Sequence, residues 1–312
     1  MFKNKEYVLA IYREKSFTKA AEALFVSQPS LSASVKRIEQ KISEPIFDRS
    51  SNPLKLTEVG EEYVRCAIEI EEMEKNFERY VSDHTKLLKG TIRIGGSSFF
   101  SSLILPKLIR DFNENYPQIK FEIYEDNTKN LMNKLSNGEL DIVVDNTINE
   151  DENILASVFL PERILLAVPK SFKVNDGLEK YKMEGDDVKL NKHLSDIPSV
   201  DLSVFKDQPF VLLNPENDTG KRALKLFKKC GVLPNVLFKL DQQVTAFNVA
   251  CAGMAISFVS DTLVKGLNSE REVYYYSISD KQAERNIYLY QKKNHYLSLA
   301  SRYFIERNTL KQ

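Results

Sequence analysis

The sequence carries no surplus of charge: 44 Lys or Arg against 44 Asp or Glu over 312 residues. Bulk electrostatics therefore neither demands nor forbids nucleic acid, and any basic surface has to be local. Cysteine is scarce. Cys66, Cys230 and Cys251 lack the close spacing of a metal knuckle or redox pair, which argues against a disulfide framework and for a reducing compartment. His84, His193 and His295 are far apart and stand in no cluster of ligating residues, so no metal and no cofactor is expected. No stretch approaches 18 uncharged apolar residues, so no membrane span is expected either. The opening MFKNKEYVLAIYREKSF interrupts its short apolar run with charges and does not read as a secretory signal, which makes cytoplasm the expected location. Gly95-Gly96 lacks the spaced third glycine of a dinucleotide loop, and no Walker sequence occurs. With no catalytic constellation visible, an enzyme is not expected.

What the sequence does hold is 42% hydrophobic residues, enough for two or three buried cores. Near the N-terminus, Phe2, Leu9, Ile11 and Tyr12 fit one helix, Phe17 to Leu24 a second and Gln28 to Ile42 a third. In the third, Leu31, Val35, Ile38 and Ile42 recur at steps of four, three and four, which places one apolar stripe against the other two helices. The stretch EPIFDRSSNPLKLT then puts a polar, proline-containing turn between IF and LKL, the pattern of a small β-wing.

Ser27 is placed to cap the third helix and Pro29 is tolerated in its first turn. Ala20 and Ala21 let the preceding helix approach closely, so helix, tight corner and helix make a helix-turn-helix. The third helix then offers Gln28, Ser30, Ser34, Arg37 and Lys41 outward, flanked by Ser32, Ala33 and Lys36. A glutamine can bridge adenine N6 and N7, and small hydroxyls or the Pro29 methylenes permit close approach to base edges. Lys36, Arg37 and Lys41 fall where phosphates would run, and Arg49, Ser50, Ser51, Asn52 and Lys55 form a polar wing tip beside them. Residues 1–58 hold ten Lys or Arg against seven Asp or Glu, a local surplus in the expected place.

Val59, Tyr63, Cys66, Ile70, Met73, Phe77, Tyr80, His84 and Leu87 follow at alternating steps of four and three, a heptad seam on one long helix. Two uses of it stay open, packing on its own domain or pairing with a second chain. Beyond Lys89, short apolar strands alternate with amphipathic helices, the pattern of parallel sheets covered on both faces. Residues 170–208 interrupt this with a polar, charge-mixed stretch that reads as a surface excursion holding one short helix.

At this point SFTKAAEALFVSQPSLSASVKRIEQKISEPIFDR followed by LKLTEVGEEY resembles the N-terminal motif of the LysR-type transcriptional regulators, and LILPKLIRDFNENYPQIKFEI, LMNKLSNGELDIVV and CAGMAISFVSDTLV resemble the family's effector-domain segments in order. The resemblance implies an α/β protein with an N-terminal winged helix-turn-helix over residues 1–58 and a linker and dimerisation helix over 59–89. It implies an effector-binding domain over 90–312, built as two α/β, Rossmann-like and periplasmic-binding-protein-like subdomains. Their expected limits are about 90–162 plus 269–312 for the first and about 163–268 for the second. It implies a sequence-specific regulator that binds double-stranded promoter DNA as a homodimer or homotetramer, answers a small-molecule effector and has RNA polymerase as a further partner. By that reading Ser27, Gln28, Pro29, Ser30, Ser32, Ser34, Lys36, Arg37, Lys41, Arg49 and Lys55 bind DNA, and Tyr63, Cys66, Ile70, Met73, Phe77, Tyr80 and Leu87 pair the chains. The sequence departs from the family after the reading helix, where Ile42-Ser43 replaces the usual Leu-Gly, so a left-handed glycine cap is not expected there.

Ligands of open α/β sheets collect beyond the carboxyl ends of strands. That places Gly95 to Phe99, Asn127, Thr128, Asp145 and Asn146 at one side of a cleft and Asn214, Gln242, Gln243 and Thr245 at the other. Ser97, Ser98, Phe99, Thr128, Asn146, Phe159, Asn214, Gln243 and Thr245 are the expected effector contacts. No lysine or arginine stands out in these loops and the phenylalanines are apolar, so the expected effector is a carboxylate or an amino-acid-like metabolite with an apolar portion. The competing reading is a solute-binding or protein-interaction module without specific DNA binding. It would have no use for a reading helix in residues 1–57.

Overall fold

A computed structural model describes residues 1–51, 53–84, 90–267, 271–293 and 295–309, with the side chains at 79 and 82–84 outside the description. The chain falls into two units, Met1–Thr85 and Lys86–Gln312.

In the first unit, α1 (Lys5–Glu14), α2 (Phe17–Ala23) and α3 (Gln28–Ile42) precede an antiparallel pair, β1 (Phe47–Asp48) and β2 (Lys55–Leu56), and then α4 (Glu58–His84). Local chemistry sets these limits. The Ser16 hydroxyl accepts from the Lys19 N–H and the Ser27 hydroxyl from the Ser30 N–H, so α2 and α3 both begin on a serine cap. At the far end of α3, Ser43 sits at φ 60°, in the left-handed region. The expectation about that turn is corrected: the left-handed cap is present, and a serine bears its cost of about 1 kcal/mol where glycine would not. Leu9, Ile11, Ala20, Ala21, Leu31, Val35 and Ile38 form the core, joined by Phe47 and, from α4, by Tyr63, Val64 and Ala67. Gly60 lets α4 reach this core, since a Cβ there would lie 2.0 Å from the Ile46 carbonyl oxygen.

The second unit runs β3 (Gly90–Gly96), a π-helical turn (Phe100–Ile104), α5 (Leu105–Asn113), β4 (Ile119–Glu125), α6 (Thr128–Ser136), β5 (Ile142–Asp145) and β6 (Ile154–Pro169). It continues through α7 (Gly185–Lys189), β7 (Pro209–Leu213), α8 (Asp218–Cys230), β8 (Asn235–Leu240), α9 (Gln243–Cys251) and β9 (Ile256–Ser260). α10 (Asp261–Gly266), β10 (Val273–Ser277), β11 (Glu284–Lys292) and α11 (Leu299–Arg307) follow. Strand order is β4-β3-β5-β11-β6-β9-β7-β8, with β10 pairing β6. β3 runs parallel to β4 and β5, and β7 parallel to β8 and β9, as two doubly covered sheets require.

β6 and β11 are the crossing connections. The first half of β6 pairs with β11, which pairs β5, while its second half pairs with β9 and β10. The boundary expected near residue 269 therefore moves, because β10 lies on Leu165–Pro169 in the second sheet and the return to the first begins at β11.

Residues 170–208 are more than a surface excursion. Met183, Val188, His193, Val200, Leu202 and Phe205 are buried, and backbone bridges tie Met183 to Tyr275 and Val200 to Ile278 beside β10. Asp261 receives His193 Nε2 at 3.0 Å and Lys265 Nζ at 2.8 Å. Burial pushes the Asp261 carboxyl up, but these partners and the Arg163 N–H outweigh it and hold it below the usual range. Single apolar residues spaced irregularly through polar sequence gave periodicity nothing to detect. Among the described residues no helix is long and apolar enough to cross a membrane.

Candidate reading helix and effector cleft

At about 100° per residue, Leu31, Ser34, Val35 and Ile38 of α3 share the inner side, and all four are buried. Ser34, expected outward, is only 8% exposed and is thereby corrected. It lies three residues from Leu31 and four from Ile38, on the edge of the apolar stripe, where periodicity alone left its direction open. Ser27, Gln28, Pro29, Ser30, Ala33, Lys36, Arg37, Gln40 and Lys41 are exposed and Ser32 is half-buried. The centre of the outer face is Ala33, four residues from both Pro29 and Arg37, and the same period would have found Gln40. Met1, Lys3 and Asn4 border a groove of about 440 Å³ with Ser34, Arg37, Ile38, Gln40 and Lys41, bringing Lys3 beside the basic end of α3.

In the wing, Arg49 donates to Glu39 at 3.1 Å and stands 5.2 Å from the centre of the Phe17 ring. Glu39 in turn accepts from the Ile46 N–H at 3.0 Å, so Arg49 is oriented by the same carboxylate that holds the strand entering the wing. Lys55 is exposed; Asn52 lies outside the described residues.

The heptad seam divides into two. Tyr63 is 5% exposed and stacks on Phe2 with ring centroids 4.8 Å apart, so its expected role between chains is corrected to one inside its own domain. Cys66 and Ile70 are half-buried, while Met73, Phe77, Tyr80 and Val81 are exposed. Leu87 and the His84 side chain lie outside the described residues. A step of three and four cannot separate these uses, because Tyr63 and Phe77 occupy the same stripe two heptads apart.

The carboxyl ends of β3, β4, β5, β7 and β8 open on one cavity of about 650 Å³, within the range of small-molecule sites. Of the residues expected at the effector, Ser97, Ser98, Phe99, Thr128, Asn146, Asn214 and Gln243 line it. Phe159 and Thr245 do not: Phe159 packs on the hydrophobic core, and Thr245 sits in the first turn of α9 with its side exposed. None of residues 170–208 lines it either.

Its lining is acidic. Glu125, Asp126, Asp145, Glu216, Asp218 and Asp241 line the cavity against Lys129 alone, and the apolar lining is Phe99 and Phe100. Asp145 is 2% exposed and accepts from Thr128 Oγ1 at 2.8 Å and the Thr147 N–H at 2.7 Å. Burial pushes its carboxyl above the usual range, and those hydrogen bonds only partly offset it. Glu125 accepts from Ser98 Oγ, and Asp241 accepts from Asn214 Nδ2. Each acid was readable in the sequence, but nothing local says that the ends of β4 and β8 face one space.

Beneath the cavity Arg285 of β11 stands opposite Glu162 of β6 and donates to it at 2.6 Å. Its Nη1 reaches Asp218 Oδ2 at 2.9 Å and Thr219 Oγ1 at 3.0 Å, while Asn146 Nδ2 donates to Glu162 at 3.2 Å. The end of β5 and the start of α8 are thus linked through the two crossing strands. Among the described residues no group of three His, Cys, Asp or Glu is placed to hold a metal ion.

Two family models match the chain: the bacterial regulatory helix-turn-helix protein of the lysR family over residues 2–61, and the LysR substrate binding domain over residues 85–308. A curated relative, the uncharacterized HTH-type transcriptional regulator YcgK of Bacillus subtilis (strain 168), is 27% identical over 98% of this chain and 94% of its own length. Full-length OxyR from Pseudomonas aeruginosa, in a variant form, shares the fold with a TM-score of 0.72 at 20% identity, over 100% of this chain and 98% of that one. Full-length CbnR complexed with its target DNA has a TM-score of 0.64 at 17% identity, over 99% and 100%.

Proposed function

The chain belongs to the LysR family of DNA-binding transcriptional regulators, and from that premise we propose which of its residues read DNA, which pair its copies and where its effector sits. The observation that carries the reading is the outer side of α3: Gln28, Pro29 and Ser30 are exposed at its start and Arg37 and Lys41 at its end, while Leu31, Val35 and Ile38 anchor the other side. Gln28, Pro29, Ser30 and Ser32 meet base edges in the major groove; Ser27, Lys36, Arg37, Lys41, Arg49 and Lys55 meet phosphates. The solved CbnR complex holds that protein's target DNA, which supports the same use of this unit. The protein works in the cytoplasm, where promoter DNA is.

Self-association follows from the exposed stripe Met73, Phe77 and Tyr80, continuous with Cys66 and Ile70. Two copies paired there present two reading helices to two half-sites, as a homodimer or, doubled again, a homotetramer. RNA polymerase is the partner through which bound protein alters transcription. The effector occupies the 650 Å³ cavity, against Ser97, Ser98, Thr128, Asn146, Asn214 and Gln243. Of the two effector classes expected from sequence, the acidic lining favours the amino-acid-like one over a simple carboxylate.

Gel retardation of the DNA upstream of the protein's own gene, with scrambled competitor, tests the reading. Gln28→Ala and Ser30→Ala should narrow the preference for the specific fragment, by about 1–3 kcal/mol for a bidentate base contact. Arg37→Ala should weaken binding to every duplex and lower the salt slope by about one. Equal affinity of the unaltered protein for specific and scrambled DNA would overturn the assignment of α3.

A further inference from the structure

We propose that the effector of this protein carries a protonated amine, held between the carboxylates of the two lobes, together with an oxygen acceptor met by Gln243. The inference rests on the reading above that the cavity is the effector site. The starts of helices account for part of the acid: Asp126 accepts from the N–H of Asn127, the residue that caps α6, and Asp218 lies in the first turn of α8. Glu125 ends a strand, and Glu216 and Asp241, although each stands one residue before an N-cap, accept from no backbone N–H among the described residues. Glu125 ends β4 in the first lobe and Asp241 follows β8 in the second, so acid faces the cavity from both sides.

The balance of charge decides the sign. Asp218 is paired with Arg222 at 2.6 Å and Arg285 at 2.9 Å, and Asp145 is buried. Four carboxylates remain against Lys129. The N-termini of α6, α8 and α9 add about half a charge each, about 1.5 in all. The cavity stays negative, and its low-dielectric walls focus that field on whatever enters. A carboxylate would enter against it.

A second observation points to a ligand rather than to a solvated acidic surface. Gln243 lines the cavity at 6% exposure, and its Nε2 has no hydrogen-bond partner among the described residues. A buried donor left unmade is costly, and a turn of the Gln243 side chain toward the cavity lets a ligand oxygen satisfy it. The remaining polar lining, amides and hydroxyls such as Asn146, Asn214 and Thr219, suits an amine that also bears hydroxyl or carbonyl groups. A bare metal ion fits less well, since among the described residues no three ligating groups come together.

The experiment is thermal unfolding of the full-length protein at fixed ionic strength with L-ornithine, glucosamine and 1,4-diaminobutane, against succinate, glucuronate and glucose, with specific-DNA retardation run on the same preparation. At least one amine should give a saturable rise in Tm of about 3 °C or more, while the anions and glucose give none. Glu125→Gln and Asp241→Asn, both exposed positions, should each abolish the rise without lowering the unliganded Tm. A saturable rise from an anion but from no amine overturns the inference, and so does the absence of a rise from every amine. Intact DNA retardation beside either result leaves the regulator reading standing. Lost DNA discrimination beside an amine-dependent rise sinks that reading and leaves the cavity's preference in place.

Discussion

Replacing Phe77 by Ala removes the largest apolar side chain on the free end of α4. Phe77 is 67% exposed in the single chain, and an aromatic side chain buries on the order of 200 Å² when covered. Two thirds of that is about 130 Å², which at about 25 cal/mol per Å² amounts to about 3 kcal/mol per copy, or about 6 for a symmetric pair. If the partner covers only half of the area, the pair still loses about 3 kcal/mol and its dissociation constant rises about 100-fold. Alanine is a better helix former than phenylalanine, so α4 itself should not weaken. Sedimentation equilibrium over a range of concentrations reads the dissociation constant, and far-ultraviolet circular dichroism checks that helix content is kept. An unchanged dissociation constant at unchanged helix content would refute the assignment of Met73, Phe77 and Tyr80 to the interface between copies.

Three further substitutions test the structure elsewhere. Arg285→Met strands Glu162, whose charge it compensates beneath the cavity, and leaves Asp218 with Arg222 alone; it should cost about 3–5 kcal/mol and lower the Tm of the second unit by roughly 10 °C, and a loss under 1 kcal/mol would contradict the network. Gly60→Ala drives a Cβ to 2.0 Å from the Ile46 oxygen, which already accepts from the Thr57 N–H at 3.0 Å; a loss of about 1–3 kcal/mol in urea unfolding of the first unit is expected, with unchanged stability telling against the close packing of α4. Asp145→Asn concerns pH: burial raises the folded pKa above the unfolded one, so this group's stabilising contribution is complete below the unfolded value and lost as pH rises through the folded one. Asparagine keeps an oxygen for the Thr147 N–H, can donate its amide N–H to Thr128 Oγ1 in place of the second oxygen, and bears no charge, so the variant should melt above the parent at pH 7, with the gain shrinking toward pH 4; a pH-independent difference would show that the carboxyl is not desolvated.

How far the sequence reaches differs between the two units. The limits of α2 and α3, their serine caps and the wing are written in contiguous residues, because a cap needs only a side chain within three positions of the N–H it serves. Ser34 and Tyr63 were misplaced by the same logic: each sits on a legible stripe, and a stripe states that residues share a side without stating what covers it. The parallel order of strands and helices in the second unit was equally visible, along with most of the loops that line the cavity. Its sign was not. Lys129 and six acids come from segments as far apart as Glu125 and Asp241, and their sum exists only where the crossing of β6 and β11 sets two sheets mouth to mouth.

By itself, then, the chain's order of residues settled the helix-turn-helix, the family and the α/β plan, since these depend on interactions a few positions long. Tertiary structure alone decided which half of α4 is left uncovered, that residues 170–208 pack on β10, and that the cavity is acidic with Arg285 beneath it. Burial and electrostatic potential are sums over neighbours in space, and no run of sequence contains those neighbours.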